Sequence, residues 1–232
     1  MDDQFENSMK LDPKTLKFAY RYAPILRFDS REPFLPSRVA VTLFSRSSHS
    51  FSFPRTVKIP DKAECVLEYA IWWDWDIQHL YELEHIWVAI DSRGKVVNVE
   101  GSWHGTYRRF QTFQERDGHP VVYSQPGKHA FSSDPKKFPL ISTMLGCTLF
   151  AGNMGLLVNE LFEKELSPLK TPEVDALIRS YLRYYAFFPS FRFTREFSFT
   201  PEMFTSWQEL REYIPVRIRK IIRDLMSSDQ KQ

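Results

Sequence analysis

The chain has 232 residues, of which 43% are hydrophobic and 26% are charged, and these values are typical of a globular protein. Its 31 basic and 29 acidic residues give a net charge of +2, so no nucleic-acid partner is indicated. Residues 1–18 are polar and lack an apolar signal core, which predicts a cytoplasmic protein. Cys65 and Cys147 form no metal or redox motif, and we expect both to be reduced, with a single disulfide as the alternative.

The first part of the chain predicts a β-rich structure. Its short runs of β-branched and aromatic residues are bounded by Pro, Gly, Asp and Ser, which is typical of strands. The predicted strands are residues 22–28, 39–44, 66–73, 86–90, 96–99 and 121–123. The clearest hairpin joins the fourth and fifth of these strands through the turn residues 91–94.

The rest of the chain predicts helices. Thr171 and Pro172 form an N-cap followed by proline at the first helical position, and Ser206 with Glu209 matches a capping box. From Pro215 onward, isoleucines fall on one side of a helix and basic residues on the other. Such a helix can lie on a membrane surface. We expect it instead to pack on the domain with a solvated basic face.

Residues 138–159 carry no charge, and their length approaches the ~20 residues of a transmembrane helix. The segment also contains a proline and three glycines, which lower its helix propensity. We therefore expect no transmembrane segment here, but a buried, partly irregular core or pocket wall.

The segment IWWDWDIQHLYELEHIWVAID, residues 71–91, concentrates carboxylates and histidines before a predicted strand. In a strand from residue 82 to residue 90, Glu82 and Glu84 point to the same face as three core aliphatic residues. Like charges on a buried face repel unless a cation lies between them or one is protonated. His79 lies in the turn that enters the strand, and Asp74 and Asp76 can add oxygen ligands. The predicted metal ligands are His79, Glu82, Glu84, Asp74 and Asp76.

Two further histidines lie in GSWHG and GKHAF. His104 follows the second hairpin strand and is therefore expected near the two glutamates, and His129 lies between a glycine turn and apolar residues. His104 and His129 are the catalytic candidates, and Trp73, Trp103 and Lys128 are the substrate-binding candidates.

Each of these features has a structural alternative. The glutamates can pair with Arg108 or Arg109, and buried histidines are often hydrogen-bonded core residues. His85 lies on the opposite strand face, where a structural role is at least as well supported as ligation. His49 and His119 lie in loop-like surroundings and receive no predicted role.

Three segments in the same order, DIQHLYELEHIWVAID, VEGSWHGTY and HPVVYSQPGKHAF, resemble the necrosis-inducing (Nep1-like) protein family and the related vacuolar protein sorting-associated family. The resemblance covers roughly residues 70–135. The histidine at the second position, the aspartate and the final glutamate of the Nep1-like heptapeptide Gly-His-Arg-His-Asp-Trp-Glu fall on His79, Glu82 and Glu84. The other four heptapeptide positions do not match. Where the family has Gly, Arg, His and Trp, this chain has Gln78, Leu80, Tyr81 and Leu83.

The resemblance implies a β-sandwich with a divalent cation at one end. We therefore predict an α+β fold with an antiparallel β-sandwich core and a helical C-terminal region. Residues 1–232 are expected to form one domain that is β-rich over residues 18–135 and helix-rich over residues 136–228. Oxygen-rich ligation with one or two imidazoles suits Mg²⁺, Ca²⁺ or Mn²⁺, with Fe²⁺ or Zn²⁺ as further options. The toxic members of the family are secreted and bind sphingolipid head groups, whereas this chain has no signal core.

The function predicted from the sequence is a divalent-metal-dependent enzyme, a hydrolase with an aromatic-lined pocket. The cation would activate a water, and His104 or His129 would act as general base. The alternative is a binding module for a sugar or lipid head group without turnover, and a third interpretation makes the metal purely structural. An enzyme or a binding module needs an open coordination position on the metal, whereas protein ligands tend to close a structural site. The expected partner is a small molecule, a glycan or a lipid head group, and the sequence indicates no oligomeric state.

Overall fold

The computed structural model of the protein describes residues 11–229. The cytoplasmic prediction rests largely on residues 1–10, which lie outside the described residues. The described chain has an α+β fold with a sheet-rich core, which confirms the predicted fold class.

The described residues contain fourteen strands, most of them before α2, and five α-helices. The strands are β1 (Ile25–Phe28), β2 (Arg38–Phe44), β3 (Ser48–His49), β4 (Thr56–Val57), β5 (Cys65–Trp75), β6 (His79–Ile90), β7 (Val96–Trp103), β8 (Thr106–Arg109), β9 (Gln114–Arg116), β10 (His119–Ser124), β11 (Phe131–Ser132), β12 (Gly155–Leu156), β13 (Arg195–Phe197) and β14 (Phe204–Thr205). The α-helices are α1 (Pro13–Tyr22), α2 (Leu140–Cys147), α3 (Glu163–Leu166), α4 (Pro172–Tyr184) and α5 (Trp207–Asp229).

Two main sheets organise the strands. The larger has the order β14-β2-β5-β6-β7-β8, with β12 beside β6. The smaller has the order β11-β10-β1-β13, with β9 beside β10, and β3 and β4 form a separate hairpin. The long ladder from β2 to β8 is antiparallel, as predicted, but β1 with β10, β2 with β14 and β6 with β12 are parallel pairs. The sheets are therefore mixed, because strands distant in sequence pair alongside the hairpins.

The core lies between the sheets and under the helices. One continuous hydrophobic cluster contains Leu26 of the smaller sheet, Val88 of the larger sheet, Ile178 of α4 and Ile218 of α5. Trp87 points to the other face of β6, where a second cluster lies around β3 and β4. This alternation follows from the two-residue period of a strand. It confirms that β6 directs its even-numbered aliphatic residues into the main core.

The predicted β6–β7 hairpin is present. Asp91 Oδ1 accepts hydrogen bonds from the backbone N–H groups of Arg93 and Lys95, both at 2.9 Å, and Gly94 has a positive φ of 76°. Aspartate favours turns because its side chain bonds nearby backbone N–H groups, and glycine favours them because it adopts a positive φ without strain.

Cys65 and Cys147 are free thiols, which confirms that they are not joined by a disulfide.

The predicted helix starts are only partly right. Thr171 Oγ1 accepts from Val174 N and caps α4, and Ser206 with Glu209 forms the predicted capping box at α5. Pro215 lies inside α5 rather than at its start. The first predicted strand begins at Ile25 instead of residue 22, because α1 occupies the residues before it.

The prediction that residues 138–159 are buried is wrong for much of the segment. Helix α2 buries only one narrow side, with Thr143, Gly146 and Cys147 facing the protein. Large apolar side chains elsewhere in the segment are exposed. Within residues 11–229, every helix is too short or too polar to cross a membrane.

Strand β6 has two different neighbours along one edge. Residues 79–80 pair with β12, and pairing with β7 begins at Ile86. Residues 81–85 lie between these two partners, while the opposite edge of β6 pairs with β5. The sheet therefore separates along this edge beside the predicted metal ligands.

Candidate metal centre

A tight turn between β5 and β6 positions the first two ligand candidates. Asp76 N donates to His79 O at 3.0 Å, and Asp76 Oδ1 accepts from Gln78 N at 2.7 Å. Aspartate favours this geometry because its side chain bonds the backbone two residues further on. The turn therefore holds the Asp76 carboxylate and the His79 ring at the same end of the hairpin.

Asp76, His79 and Glu82 form a compact cluster, in which one ligand atom from each lies within 4.8 Å of the others. His79 Nε2 is 3.5 Å from Asp76 Oδ1 and 3.7 Å from Glu82 Oε2. His79 Nδ1 is 2.7 Å from the carbonyl oxygen of Tyr81. Because a carbonyl only accepts, Nδ1 carries the hydrogen and Nε2 presents its lone pair to the cluster. The structure thus groups three of the five predicted ligands.

Lys128 provides a positive charge inside this cluster. Its Nζ lies 2.8 Å from Asp76 Oδ1 and 3.3 Å from His79 Nε2. The loop that carries Lys128 is fixed to the β5–β6 turn by the hydrogen bond from Ile77 N to Gly127 O at 2.9 Å. Lys128 was predicted to bind substrate, and the structure places it among the ligand candidates.

Burial and mutual interactions shift the pKa values of the inner groups. Burial lowers the pKa of His79 to about 4, against the opposing effect of Asp76, so the ring is neutral at pH 7. Burial alone would raise the pKa of Asp76. The electrostatic effects of His79 and Lys128 are larger together and hold that pKa below its ordinary value. Burial lowers the pKa of Lys128, but the negative charges of Asp76 and Glu82 outweigh this effect. The pKa of Lys128 is therefore raised above its ordinary value, and the amine is charged. A neutral imidazole beside an ionised carboxylate is a competent ligand pair.

The two glutamates are less well compensated. Burial, Glu84 and Asp76 raise the pKa of Glu82 well above its ordinary value. Burial raises the pKa of Glu84 to about 7, although Ser102 and His129 oppose the shift. Three carboxylates thus surround one ammonium group. Such a site favours an additional cation or the uptake of protons.

Glu84 lies toward β7 rather than in the three-residue cluster. The Ser102 hydroxyl donates a short hydrogen bond to Glu84 Oε2 and accepts from His85 N at 2.6 Å. Ser102 is fully buried, so it fixes this carboxylate at the point where β6 and β7 begin to pair.

His129 is enclosed by other side chains. Its ring stacks on Trp73 with centroids 4.7 Å apart, and its Nε2 is 3.4 Å from Glu32 Oε1. The other Glu32 oxygen, Oε2, accepts from Gly127 N at 2.7 Å. The structure therefore places this catalytic candidate and the substrate-binding candidate Trp73 in the protein interior, beside the cluster.

His104 lies in the two-residue turn between β7 and β8 and is exposed. Its φ of 49° is left-handed, an unusual conformation for a residue other than glycine. Nearby protein atoms desolvate its ring, and this desolvation and the charge of Lys128 lower the pKa of His104. The ring is therefore neutral at pH 7 and can accept a proton.

Two other candidates have partners away from the cluster. Asp74 pairs with Arg217 of α5, with Arg217 Nη2 2.6 Å from Asp74 Oδ2, and also accepts from Trp72 Nε1 at 3.2 Å. Asp74 thus attaches α5 to the larger sheet. Trp103 stacks on Phe138 with centroids 5.8 Å apart and is nearly buried.

A cavity of about 650 Å³ opens where the edge of β6 separates. Glu82, Leu83, Glu84 and His85 form one wall, and residues 50–54, Gly105 and residues 159–161 form the others. The predicted tryptophans are buried elsewhere, so the aromatic groups of this cavity are Phe51 and Phe53. Glu82 therefore belongs both to the ligand cluster and to the cavity wall.

Two polar residues of the cavity, Ser52 and Asn159, were not predicted from the sequence. His85 Nδ1 and Asn159 Oδ1 are buried and have no hydrogen-bond partner among the described residues. His85 Nε2 contacts Ser52 Oγ at 2.9 Å, and burial lowers the pKa of His85 to about 3. Ser52 and Asn159 are distant in sequence and carry no motif, so only the folded chain shows their proximity.

Comparisons with known proteins show limited similarity. No protein-family profile and no curated protein matches the chain. A solved structure, NLPPya in complex with glucosamine, is similar over 55% of this chain and 71% of that chain, with 14% sequence identity and a TM-score of 0.36. NLPPya is a Nep1-like protein, and the resemblance of this chain to that family stays a prediction from the sequence.

Proposed function

We propose that the protein binds a divalent cation at Asp76, His79 and Glu82 and uses it to bind a polar small molecule in the adjoining cavity. The observation that carries this proposal is the convergence of three ligand atoms within 4.8 Å beside the 650 Å³ cavity, whose wall includes Glu82. Two carboxylate oxygens and one imidazole nitrogen suit Mg²⁺, Mn²⁺ or Ca²⁺, and Zn²⁺ or Fe²⁺ is compatible with the same donors.

The position of Glu82 supports binding of a ligand at the cation. Asp76 and His79 are buried behind the cavity, whereas Glu82 lines it. Three protein ligands leave coordination positions for water or a bound molecule. Carboxylate, hydroxyl and phosphate oxygens are the ligand groups that these hard cations prefer.

Backbone strain also supports a functional role for this region. Among the described residues, five non-glycine residues have a left-handed φ, and three of them are Tyr81, His104 and His129. Such conformations cost about 1–3 kcal/mol each and cluster at binding and catalytic sites. Here they lie in or beside the elements that carry the cluster.

Hydrolysis is a second candidate function, favoured by His104. Gly105 lines the cavity and His104 precedes it in the same turn, and the lowered pKa of His104 keeps its imidazole neutral at pH 7. A neutral imidazole at that position can accept a proton from a water bound at the cation. Substrate classes that suit this chemistry are esters, phosphoesters and glycosides.

Isothermal titration with Mg²⁺, Mn²⁺, Ca²⁺ and Zn²⁺ tests the binding proposal. Wild type is expected to bind one cation, and Glu82→Gln is expected to bind it at least tenfold more weakly. Glu160→Gln is the matched control, because Glu160 lines the same cavity outside the cluster. Equal affinities of wild type and Glu82→Gln, or no binding by wild type, would contradict the proposal.

Turnover separates the two candidate functions. A hydrolase releases nitrophenol from nitrophenyl esters, phosphates or glycosides in the presence of the bound cation. His104→Gln should then abolish turnover while the cation affinity remains unchanged. Cation binding without turnover on any of these substrates would favour the binding module.

A further inference from the structure

The uncharged segment that contains α2 and the turn after it presents an apolar surface that the proposed site does not use. We define the apolar patch as the exposed side chains of this segment. They are Leu140, Ile141, Leu145, Leu149, Phe150 and Met154. Ile141 and Leu149 are 71% and 69% exposed, which is unusual for such large apolar residues. A concentration of this kind on one surface marks an interaction site.

The apolar patch is held in place by the rest of the fold. Phe150 N donates to Leu145 O at 2.9 Å, so the turn folds back onto the end of α2. The turn is fixed to the β5–β6 connection by Gly152 N to Ile77 O at 2.9 Å and Met154 N to Gln78 O at 3.0 Å. These hydrogen bonds fix the backbone of the segment, so the fold itself holds the patch side chains at the surface.

The charges around the patch indicate the chemistry of its partner. Between Asp134 and Glu160, the only charged side chains are Lys136 and Lys137, and both are exposed. They lie in the short helical turn directly before α2. Arg179 of α4 is also exposed, and its backbone packs against Gly152. Lys136 and Lys137 thus place positive charge beside the first residues of the apolar patch.

We propose that the apolar patch and the two adjacent lysines bind the surface of an anionic lipid bilayer. Leucine, isoleucine and phenylalanine side chains on a short helix and turn can enter the interfacial region, while lysines contact the head groups. The described helices cannot span the bilayer, so the contact is peripheral. This inference does not rest on the proposed cation site, because neither the patch nor the lysines contribute a ligand.

Co-sedimentation with vesicles tests this proposal. The vesicles contain phosphatidylcholine alone or a mixture of phosphatidylcholine and phosphatidylserine, and the buffer contains EDTA to exclude cation bridging. Wild type should bind the mixed vesicles more strongly, and added salt should weaken the binding. Light scattering of wild type in the absence of lipid, beside Ile141→Ser, tests whether the patch instead joins two copies of the chain.

Three variants separate the contributions. Ile141→Ser with Leu149→Ser should lower the partition coefficient at least about tenfold, because two buried apolar groups are lost. Lys136→Gln with Lys137→Gln should lower it about fivefold per lysine on anionic vesicles only. Val216→Ser is the control, because Val216 is an equally exposed apolar residue on α5. All affected side chains are exposed, so the variants should fold.

Several results would overturn the proposal. These are no binding by wild type, equal binding to the two vesicle types, or an equal loss in Val216→Ser and in the patch variant. A wild-type dimer that Ile141→Ser converts to a monomer would show that the patch is an interface between copies.

Discussion

The ammonium of Lys128 lies 2.8 Å from Asp76 Oδ1, in the same cluster that offers three ligand atoms to a cation. The Asp76 side chain is fully buried, so this ion pair balances a charge that water does not reach. Lys128 also contacts His79 Nε2, the atom that faces the cluster. A divalent cation at this point must therefore displace the lysine, and the two cations compete for the same carboxylate.

Replacement of Lys128 by methionine should separate these two roles. Lys128→Met leaves the buried Asp76 without its ammonium partner, which we expect to cost about 3 kcal/mol in the presence of EDTA. The same change removes the competing cation, so the affinity for Mn²⁺ or Mg²⁺ should increase. Thermal unfolding with EDTA and with saturating cation measures both effects.

The direction of the affinity change is the decisive part of that experiment. A variant that is destabilised and binds cations more weakly than wild type would show that Lys128 supports the site instead of competing with a metal. Lys62→Met, at an exposed lysine distant in sequence, controls for a general loss of positive charge.

Asp74 should prove to be structural. Arg217 Nη2 donates to Asp74 Oδ2 at 2.6 Å, and both side chains are partly exposed. Asp74→Asn should therefore lower the free energy of unfolding by about 1 kcal/mol and leave cation affinity unchanged. Denaturant unfolding and cation titration check the two parts. A loss of cation binding would return Asp74 to the set of ligands predicted from the sequence.

The sequence allowed the β6–β7 hairpin to be predicted, but not the side chains that surround the candidate metal centre. The two-residue period of a strand places Glu82 and Glu84 on one face, and the turn chemistry of residues 91–95 sets the hairpin. The role of Asp74 depends instead on Arg217, which is 143 residues further along the chain. Glu32 meets His129 across 97 residues. Such contacts are set by tertiary packing, which no local pattern encodes.

The exposed segment around α2 shows a second limit of pattern analysis. An uncharged run of residues is compatible with a buried core, a membrane span or an exposed surface. The pattern shows which residues are apolar, but it does not show what they pack against. In the structure, Cys147 faces the core while Ile141, on the same helix, faces outward.

Glu68 should make stability depend on pH. Burial raises its pKa, although hydrogen bonds from neighbouring side chains, including Trp87 and Ser52, oppose the shift. The folded protein therefore binds this proton more tightly than the unfolded chain. The resulting stabilisation is full below the unfolded pKa of about 4.5 and is lost as pH rises through the folded pKa.

A comparison of Glu68→Gln with wild type tests this expectation. Glutamine can accept from Trp87 and donate to Ser52 without ionising, so the variant should gain stability relative to wild type as pH rises from about 4 to about 8. Thermal unfolding across this range gives the difference, with Glu64→Gln as the exposed control. Parallel curves for wild type and Glu68→Gln would contradict the expectation.

The loop that carries Lys128 should depend on Gly127. Its φ is 68°, and an added Cβ would lie 2.6 Å from Ile77 Cγ2 and 2.8 Å from Cys147 Sγ. Gly127→Ala combines left-handed strain with overpacking and should cost about 3 kcal/mol. Gly118 has a φ of 84° and no atom near its added Cβ, so Gly118→Ala should cost only the strain, about 1–2 kcal/mol.

Denaturant unfolding of these two variants isolates the packing contribution, since both carry the same backbone strain. Equal destabilisation would show that the contact of Gly127 with Ile77 and Cys147 has no energetic role. It would also weaken the view that this loop holds Lys128 rigidly in the cluster.

A crystal structure of the wild-type protein soaked with Mn²⁺, with anomalous scattering data collected, tests most directly whether the cluster binds a cation. We predict an anomalous peak at about 2.0–2.4 Å from oxygens of Asp76 and Glu82 and from His79 Nε2, with the Lys128 ammonium moved away. A cluster without an anomalous peak, in which Lys128 still contacts Asp76, would contradict it.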